Sequence, residues 1–584
     1  MNPELFRILV VDLATGRGRV ENIDGRANAV GGSGLAALLF QKYGDPVRPW
    51  DDPDQPFILA IGPLTGLFPL MSKTVSSFKS PRNDQYTESH AGGRCALALR
   101  FAGYDALVLQ GRAAELSCLN IGANHLQLKS AGFMAGLDVV AAGKIMRRMF
   151  KENSGHRSML RIGPAGEKGL AIACINADTY RHFGRLGGGA VLGSKNIKGI
   201  VIQGNGTFSL PPDKEYPRLT ARVHAMVTDT DMLRKYHNLG TPANLQSLND
   251  ISSLPWRNLQ QTANPGIDGI TGKRFADETL LRNGACAGCP VGCIHIGFVR
   301  EKFEEKDNRY LYQQVAYDYE PIFAAGSMLG ITNAFDVLRI LDVMEKTGVD
   351  SMSAGVALAW AAEATEKGLL SEKETGVHLR FGNAASFIEG ARMLGTGANS
   401  FYRLLGRGTL AAAEKYGGAD FACVLGQEMA GYATGEVFFA AQSLGFRHSH
   451  LDTGAYSYDQ KHADKDVLAA IDFLIKDEAC RCLLTSMVSC LFARSVYTED
   501  VLADCLRVSG YGNLADNPAD LGEDIRRHRW RLRFACGFTP ESIILPKRFY
   551  KIRTWKGPVD IAYLNRLKEE YGNRIAALAG QTGA

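Results

Sequence analysis

The stretch Asn283-Gly-Ala-Cys286-Ala-Gly-Cys289-Pro-Val-Gly-Cys293 sets three thiols two and then three residues apart, in a loop otherwise made mostly of Gly, Ala and Pro. Small residues let the backbone curl and turn its N–H groups toward sulfur, so three thiolates can wrap one compact centre. An iron–sulfur cluster takes four Cys thiolates. Structural zinc accepts four thiolates, or three thiolates and one imidazole, with His295 as the imidazole at hand; three unrelated buried thiols are the remaining reading. Nothing near Cys293 completes the set, so a fourth cysteine comes from far along the chain. Cys423, Cys480, Cys482, Cys490, Cys505 and Cys536 all qualify by chemistry alone.

On the N-terminal side of this loop the chain alternates short β-like runs with Gly turns: Arg7 to Val11, Phe57 to Ile61, Ala106 to Leu109 and Ile200 to Ile202. Glycine clusters at 31–34, 92–93 and 184–189 lie between them. After Gly204-Asn205-Gly206 and a linker at Pro211-Pro212, helical periodicity takes over. Ala334 to Lys346 carries Phe335, Leu338, Leu341 and Met344 at a spacing of three. Ala354 to Gly368, Phe401 to Tyr416 and Val467 to Val496 read as further helices, and Gly417-Gly418 is a stop. The expected fold is α+β: a Gly-rich β-sheet domain at residues 1–206, then mainly helical domains at 207–418, with the cysteine loop, and 419–584.

Composition narrows the function classes. With 46% hydrophobic and 22% charged residues the 584-residue chain is globular. A formal charge of +5 excludes a bulk electrostatic nucleic-acid binder and leaves room only for a local basic groove. Twelve cysteines are too dilute for a disulfide scaffold. The first residues lack a signal-peptide pattern, and apolar runs such as 57–71 are broken by Pro and Gly short of the ~18 residues of a membrane span. The expectation is a cytoplasmic, reduced protein.

Three further stretches carry chemistry. Gly32-Ser-Gly34-Leu-Ala-Ala37 matches a dinucleotide fingerprint only formally, because the polar Glu21 to Ala29 before it does not read as a strand. In Tyr180-Arg181-His182-Phe183-Gly184-Arg185-Leu-Gly-Gly-Gly189, two arginines flank bare backbone, which suits phosphate or a plain Gly-rich turn. Tyr317-Asp318-Tyr319-Glu320-Pro321 places a carboxylate among aromatics, where desolvation would raise its pKa and make it a base. Arg447-His448-Ser449-His450 sets two imidazoles beside an arginine.

Taken in order, Val30-Gly-Gly-Ser-Gly-Leu35, Ile61-Gly-Pro-Leu-Thr-Gly66, Lys79-Ser-Pro81, Gly92-Gly93 and Phe101-Ala-Gly-Tyr-Asp-Ala106 resemble the aldehyde ferredoxin oxidoreductases. Those enzymes carry a tungsten, sometimes molybdenum, bis-pterin. Ile162-Gly-Pro-Ala-Gly-Glu167, Arg181-x-x-Gly-Arg185 and Gly193-Ser-Lys-Asn196 are the most specific matches, and the cysteine loop sits mid-chain as in that family. The resemblance implies a [4Fe–4S] cluster on Cys286, Cys289, Cys293 and Cys490, the last from Thr485-Ser-Met-Val-Ser-Cys490-Leu-Phe492. There the family has Asp-x-x-Gly-Leu-Cys-Leu-Phe, so Thr485, Val488 and Ser489 are departures. The sister motif appears as Glu345-Lys-Thr-Gly348-Val-Asp350. One pterin is then gripped differently, or through the hydroxyls of Thr485 and Ser489.

By the same resemblance Lys73, His90, Gly92, Gly93, Arg181, His182, Gly184 and Arg185 surround the pterin phosphates and a bridging Mg2+. The family's catalytic glutamate falls on Glu320 and its histidine on His450, with His448 as an extra imidazole. The implied reaction joins an aldehyde and water into a carboxylic acid. Its electrons leave singly through the cluster to ferredoxin or a ferredoxin-like Fe–S subunit, in a homodimer or hetero-complex. Two alternatives are carried: a low-potential reductase subunit acting on an acid or aromatic substrate, and a non-redox zinc-binding scaffold.

Overall fold

A computed structural model describes residues 4–151, 155–207, 209–302, 309–578 and 580. The N-terminal half holds two mixed six-stranded sheets. Sheet one runs β2-β1-β6-β3-β4-β5, with β1 Phe6–Asp12, β2 Arg17–Ile23, β3 Phe57–Ala60, β4 Thr74–Lys79, β5 Tyr86–Ala91 and β6 Ala106–Gln110. Sheet two runs β11-β10-β9-β12-β7-β8, from β7 Ser117–Gly122, β8 His125–Ser130, β9 His156–Arg161, β10 Ile175–Ala177, β11 Arg181–Phe183 and β12 Ile197–Gly204.

Sheet one is covered on both faces, and its alternation shows how. Successive side chains on a strand point to opposite faces. Ile8, Val10, Ile58, Ala60, Ala106 and Val108 join a core shared with the helices. Leu9, Val11, Phe57, Leu59, Leu107 and Leu109 face the other way and pack with Leu119, Ile121, Leu160, Ile200 and Ile202 of sheet two. That is why these strands read as near-continuous apolar runs. The edge strand β2 is exposed along most of its length, so its polar end at Glu21–Ile23 gave no β signal.

Beyond residue 210 the chain is mostly helical. The helix Ala334–Thr347 starts at the Asn333 cap and stops at left-handed Gly348. Ser351–Glu366 begins three residues earlier than its periodicity suggests, because the Asp350 carboxylate accepts from the N–H groups of Met352 and Ser353. The stretch expected as one helix from Phe401 to Tyr416 is two, Ser400–Leu405 and Thr409–Tyr416, interrupted at Gly406 and by Gly408 at φ 136°. The helix from Val467 ends at Ser486, where Val488 takes a positive φ and turns the chain toward Cys490. A three-stranded antiparallel sheet was not anticipated in this part: β13 Leu280–Gly284, β14 Ile294–Lys302 and β15 Tyr310–Tyr317. It frames the cysteine loop, which connects β13 to β14. Among the described residues no single helix is long and apolar enough to cross a membrane.

Candidate cofactor cavity and cluster loop

Between the sheets and the helices lies a cavity with about 2200 Å3 of unfilled space, part of it open to solvent. All four expected cluster cysteines line it, as do Lys73, His90, Gly92, Arg181, His182, Gly184, Arg185, Glu320, Glu345, Asp350, His450, Thr485 and Ser489. Of the expected residues, Gly93, Gly348 and His448 do not.

The cluster end is assembled by backbone stitching. Leu70 donates its N–H to the Gly288 carbonyl and accepts from the Cys490 N–H, while the Ala287 N–H donates to the Gly93 carbonyl. These bonds bring Cys490 from far along the chain to the loop of Cys286, Cys289 and Cys293. Gly92 is needed for close approach: a Cβ there would sit 2.5 Å from the Cys286 sulfur. Burial pushes Cys289 up to about 12 and Cys293 to about 11. Burial also raises Cys286, but the charges of Arg181 and Lys73 outweigh it and hold this thiol below its usual value. Lys73 therefore stands among the cysteines; its Nζ would be 3.3 Å from a Cβ on Gly92. Among the described residues no three His, Cys, Asp or Glu side chains converge on a single-ion site. His295 is committed elsewhere: Nε2 lies 3.1 and 3.2 Å from the His237 and Asn238 carbonyls, and Nδ1 3.3 Å from that of Cys293.

Along one wall, His182 Nε2 meets Glu345 at 2.7 Å and Asn176 donates to the other Glu345 oxygen at 2.9 Å. Burial raises the Glu345 carboxyl, but His182 more than offsets it and the pKa is lowered. Arg185 donates to Asp350 at 3.2 Å and to the Glu428 carbonyl at 2.6 Å. Gly348 is the left-handed stop that sets Asp350 up, with its carbonyl accepting from the Cys174 N–H. Gly93 likewise acts through its backbone on the cysteine loop.

On the opposite wall stands a carboxylate that sequence reading missed, Glu88 on β5. It is fully buried and takes four partners: Ser33 at 2.8 Å, His90 at 3.1 Å, Tyr86 at 3.2 Å and Arg529 at 2.7 Å. Burial would raise it, but the Arg529 charge and the His90 bond hold it at about 2. His90 is pushed down to about 4 by burial and by Arg447. As a neutral ring it donates from Nε2 to Glu88 and accepts at Nδ1 from Arg447, 3.2 Å away. Ser33 also reaches Thr485 at 2.9 Å, which places Glu88 next to the departed acidic motif. The only signal for Glu88 was an ionisable residue inside a run otherwise fit for a buried strand. The glycines at 31–34 make no nucleotide loop. Gly32 lies against the backbone of Thr485 and Ser486, leaving no room for a side chain.

At the helix Tyr319–Ala325, Glu320 accepts from the Tyr432 hydroxyl at 2.9 Å and pairs with His450 Nε2 at 3.0 Å. The expected upward shift does not fall on Glu320. Burial does raise it, but the hydrogen bond and charge of His450 bring it below the usual carboxylate value. The shift falls on Asp318, buried and repelled by the Glu320 charge, which rises to about 7. His448 is a correction as well. Its ring packs beside Gly426, with Nδ1 2.8 Å from the Ser443 carbonyl and Nε2 2.6 Å from Arg533. Burial and that arginine lower it to about 3, so it is a neutral positioning residue behind the wall.

The residues present fit a large anionic cofactor. Arg181 Nε, Arg185 Nη1 and His450 Nδ1 are buried without a protein partner, all on residues lining the cavity. Two orphaned guanidinium N–H donors suit phosphate oxygens, and the Glu345 and Asp350 carboxylates suit ring N–H donors.

Comparison with known proteins agrees. The family models for the aldehyde ferredoxin oxidoreductase N-terminal domain and for its domains 2 and 3 match residues 8–204 and 218–573. A tungsten-containing aldehyde ferredoxin oxidoreductase of Pyrococcus furiosus is 29% identical, covering 96% of this chain and 94% of that one. The WOR-like subunit of an aliphatic sulfonate oxidoreductase from the same organism is 27% identical over 66% of this chain and 62% of its own. The active-site complex BamBC of benzoyl coenzyme A reductase, solved with 1,5 dienoyl-CoA, shares the fold. Its TM-score is 0.80 at 17% identity, over 98% of this chain and 95% of that one. The chain belongs to the aldehyde ferredoxin oxidoreductase family and is an oxidoreductase of the tungsten-pterin type.

Proposed function

We propose that this protein oxidises an aldehyde with water to a carboxylic acid in the cytoplasm, releasing two protons and two electrons. The electrons pass one at a time through a [4Fe–4S] cluster to ferredoxin or an Fe–S partner subunit. The observation that carries this reading is the Glu320–His450–Tyr432 group at the cavity wall, with His450 Nδ1 unpartnered. When bound, the tungsten pterin supplies a Lewis-acidic metal and a two-electron acceptor. Glu320, held below its usual pKa by His450, is ionised at neutral pH and accepts a proton from water or the hydrated aldehyde. Tyr432 and His450 fix its carboxylate. His450 keeps Nε2 on Glu320, and its Nδ1, free of any protein partner among the described residues, is the atom offered to the carbonyl oxygen as charge develops.

Arg181 and Arg185 would hold the pterin phosphates and their Mg2+, and Glu345 and Asp350 would hold pterin ring N–H groups. The second ring, where Thr485 replaces an acid, is read by the Thr485 and Ser489 hydroxyls backed by Glu88. Cys286, Cys289, Cys293 and Cys490, which line one cavity, would hold the cluster, and the commitment of His295 to backbone carbonyls favours four thiolates over a Cys3His zinc site. The relative named as a WOR-like subunit supports a hetero-complex as the working form.

Elemental analysis of anaerobically purified protein tests the cofactor reading. About one tungsten or molybdenum and about four irons per chain are expected, followed by dye reduction with one member of an aldehyde panel. Zinc alone, from cells supplied with tungstate, molybdate and iron, would overturn it. Asp318 gives a pH signature. Above about pH 7 it becomes a second negative charge beside Glu320 and strengthens that base. The kcat/KM is expected to rise through pH 7, and Asp318→Asn to flatten that rise; an unaltered profile would remove Asp318 from the proton chemistry.

A further inference from the structure

The residue Cys286 faces two spaces. It lines the internal cavity, and with Ala285 and Ala287 it also lines a separate concavity on the outside of the molecule. Beside Leu97 and Gly155, the other lining residues are basic: Arg94 follows the glycine pair at 92–93, Lys151 follows the helix Val139–Met149, and His156 and Arg157 open β9. Arg94, Lys151 and His156 are exposed, and neither Arg94, Lys151 nor Arg157 pairs with an acidic side chain among the described residues. The Asp178 carboxylate accepts from the N–H groups of Arg94 and Met159. His156 is held on the rim by stacking on Phe101, with ring centroids 4.2 Å apart.

We infer that this concavity is where an acidic one-electron carrier of the ferredoxin type docks, its metal centre seated over Ala285–Ala287. The inference rests on the cluster reading of Cys286 given above. Positive charge that no acidic side chain pairs among the described residues, set around a small-residue opening, attracts a negatively charged partner and orients it. Alanines at the contact let the partner's surface come close to Cys286, which lines both the outer concavity and the inner cavity. The chain as a whole carries only +5, so the attraction is local to this face and does not come from net charge.

The test uses the full, cofactor-loaded protein, an acidic ferredoxin as probe and a small neutral dye as second acceptor. Combined Arg94→Glu, Lys151→Glu and Arg157→Glu is compared with Lys214→Glu, Arg380→Glu and Arg566→Glu, which change net charge equally at exposed sites elsewhere. The first triple variant is expected to lose about 30-fold in kcat/KM for ferredoxin at low salt, and with it most of the salt dependence. Its dye-linked rate and the ferredoxin kinetics of the control stay near wild type. Equal loss in both variants, or none in the first, would overturn the proposal. If no aldehyde drives either acceptor, the oxidation reading fails on its own. Docking is then read by titrating labelled ferredoxin onto the protein, and equal affinity for wild type and the first variant would refute it. Retention of single-stranded DNA in place of ferredoxin would refute it too.

Discussion

Glu320→Gln is expected to abolish turnover, with kcat down by about 10³-fold, while tungsten and iron contents and the melting temperature stay at wild-type values. Gln keeps the shape and an acceptor oxygen, so the Tyr432 hydroxyl and His450 Nε2 retain a partner. What disappears is the ionised oxygen that takes a proton. The Glu320 side chain hydrogen-bonds Tyr432 and His450 and no cysteine or arginine, which is why loading should be unaffected. The measurement is steady-state dye reduction with the best aldehyde, beside metal analysis of the same sample. Turnover within about twofold of wild type would remove Glu320 from the mechanism.

Cys490→Ala is expected to strip the cluster: iron falls from about four per chain toward zero, absorbance near 400 nm disappears and ferredoxin reduction is lost, with tungsten retained. Of the six cysteines C-terminal to the loop, this one alone lines the cavity among the described residues. Cys423 is buried against the Asn258 and Phe421 carbonyls, and Cys482 accepts from Arg529 at 2.7 Å. Cys480 is exposed on the helix Val467–Ser486, so Cys480→Ser serves as the control that keeps its iron. Full iron content in Cys490→Ala would assign the fourth ligand elsewhere.

Much of the architecture was legible because its signals are local. The strands of sheet one are apolar on both faces since both faces are covered, and the helix at Ala334 carries its own cap and stop. Spacing alone grouped Cys286, Cys289 and Cys293, whereas Cys490 needed the resemblance to a family, because the bonds through Leu70 join segments hundreds of residues apart. Local rules also failed where charge is compensated at a distance. Glu320 was expected to rise on desolvation, but its balance is set by His450, and the rise moved to Asp318. His448 and His450 look equivalent in sequence, yet a positive φ at His448 turns its ring onto Arg533 and away from the cavity. Glu88 escaped notice because its countercharge, Arg529, is 441 positions away.

Contacts of that span carry a kinetic meaning. The wall made by Ser33 and Thr485 joins positions 452 apart, and the one made by Glu88 and Arg529 joins nearly as distant ones. Pairings so far apart in the chain form late, after nearer ones have paid down the loop-closure entropy. The cavity is thus among the last parts of the molecule to close, and until the helices beyond residue 467 dock there is no finished pocket to receive a cofactor. A chain still emerging from the ribosome has the strands and most of the cysteine loop but neither Cys490 nor Arg529. Loading is therefore a post-synthetic event.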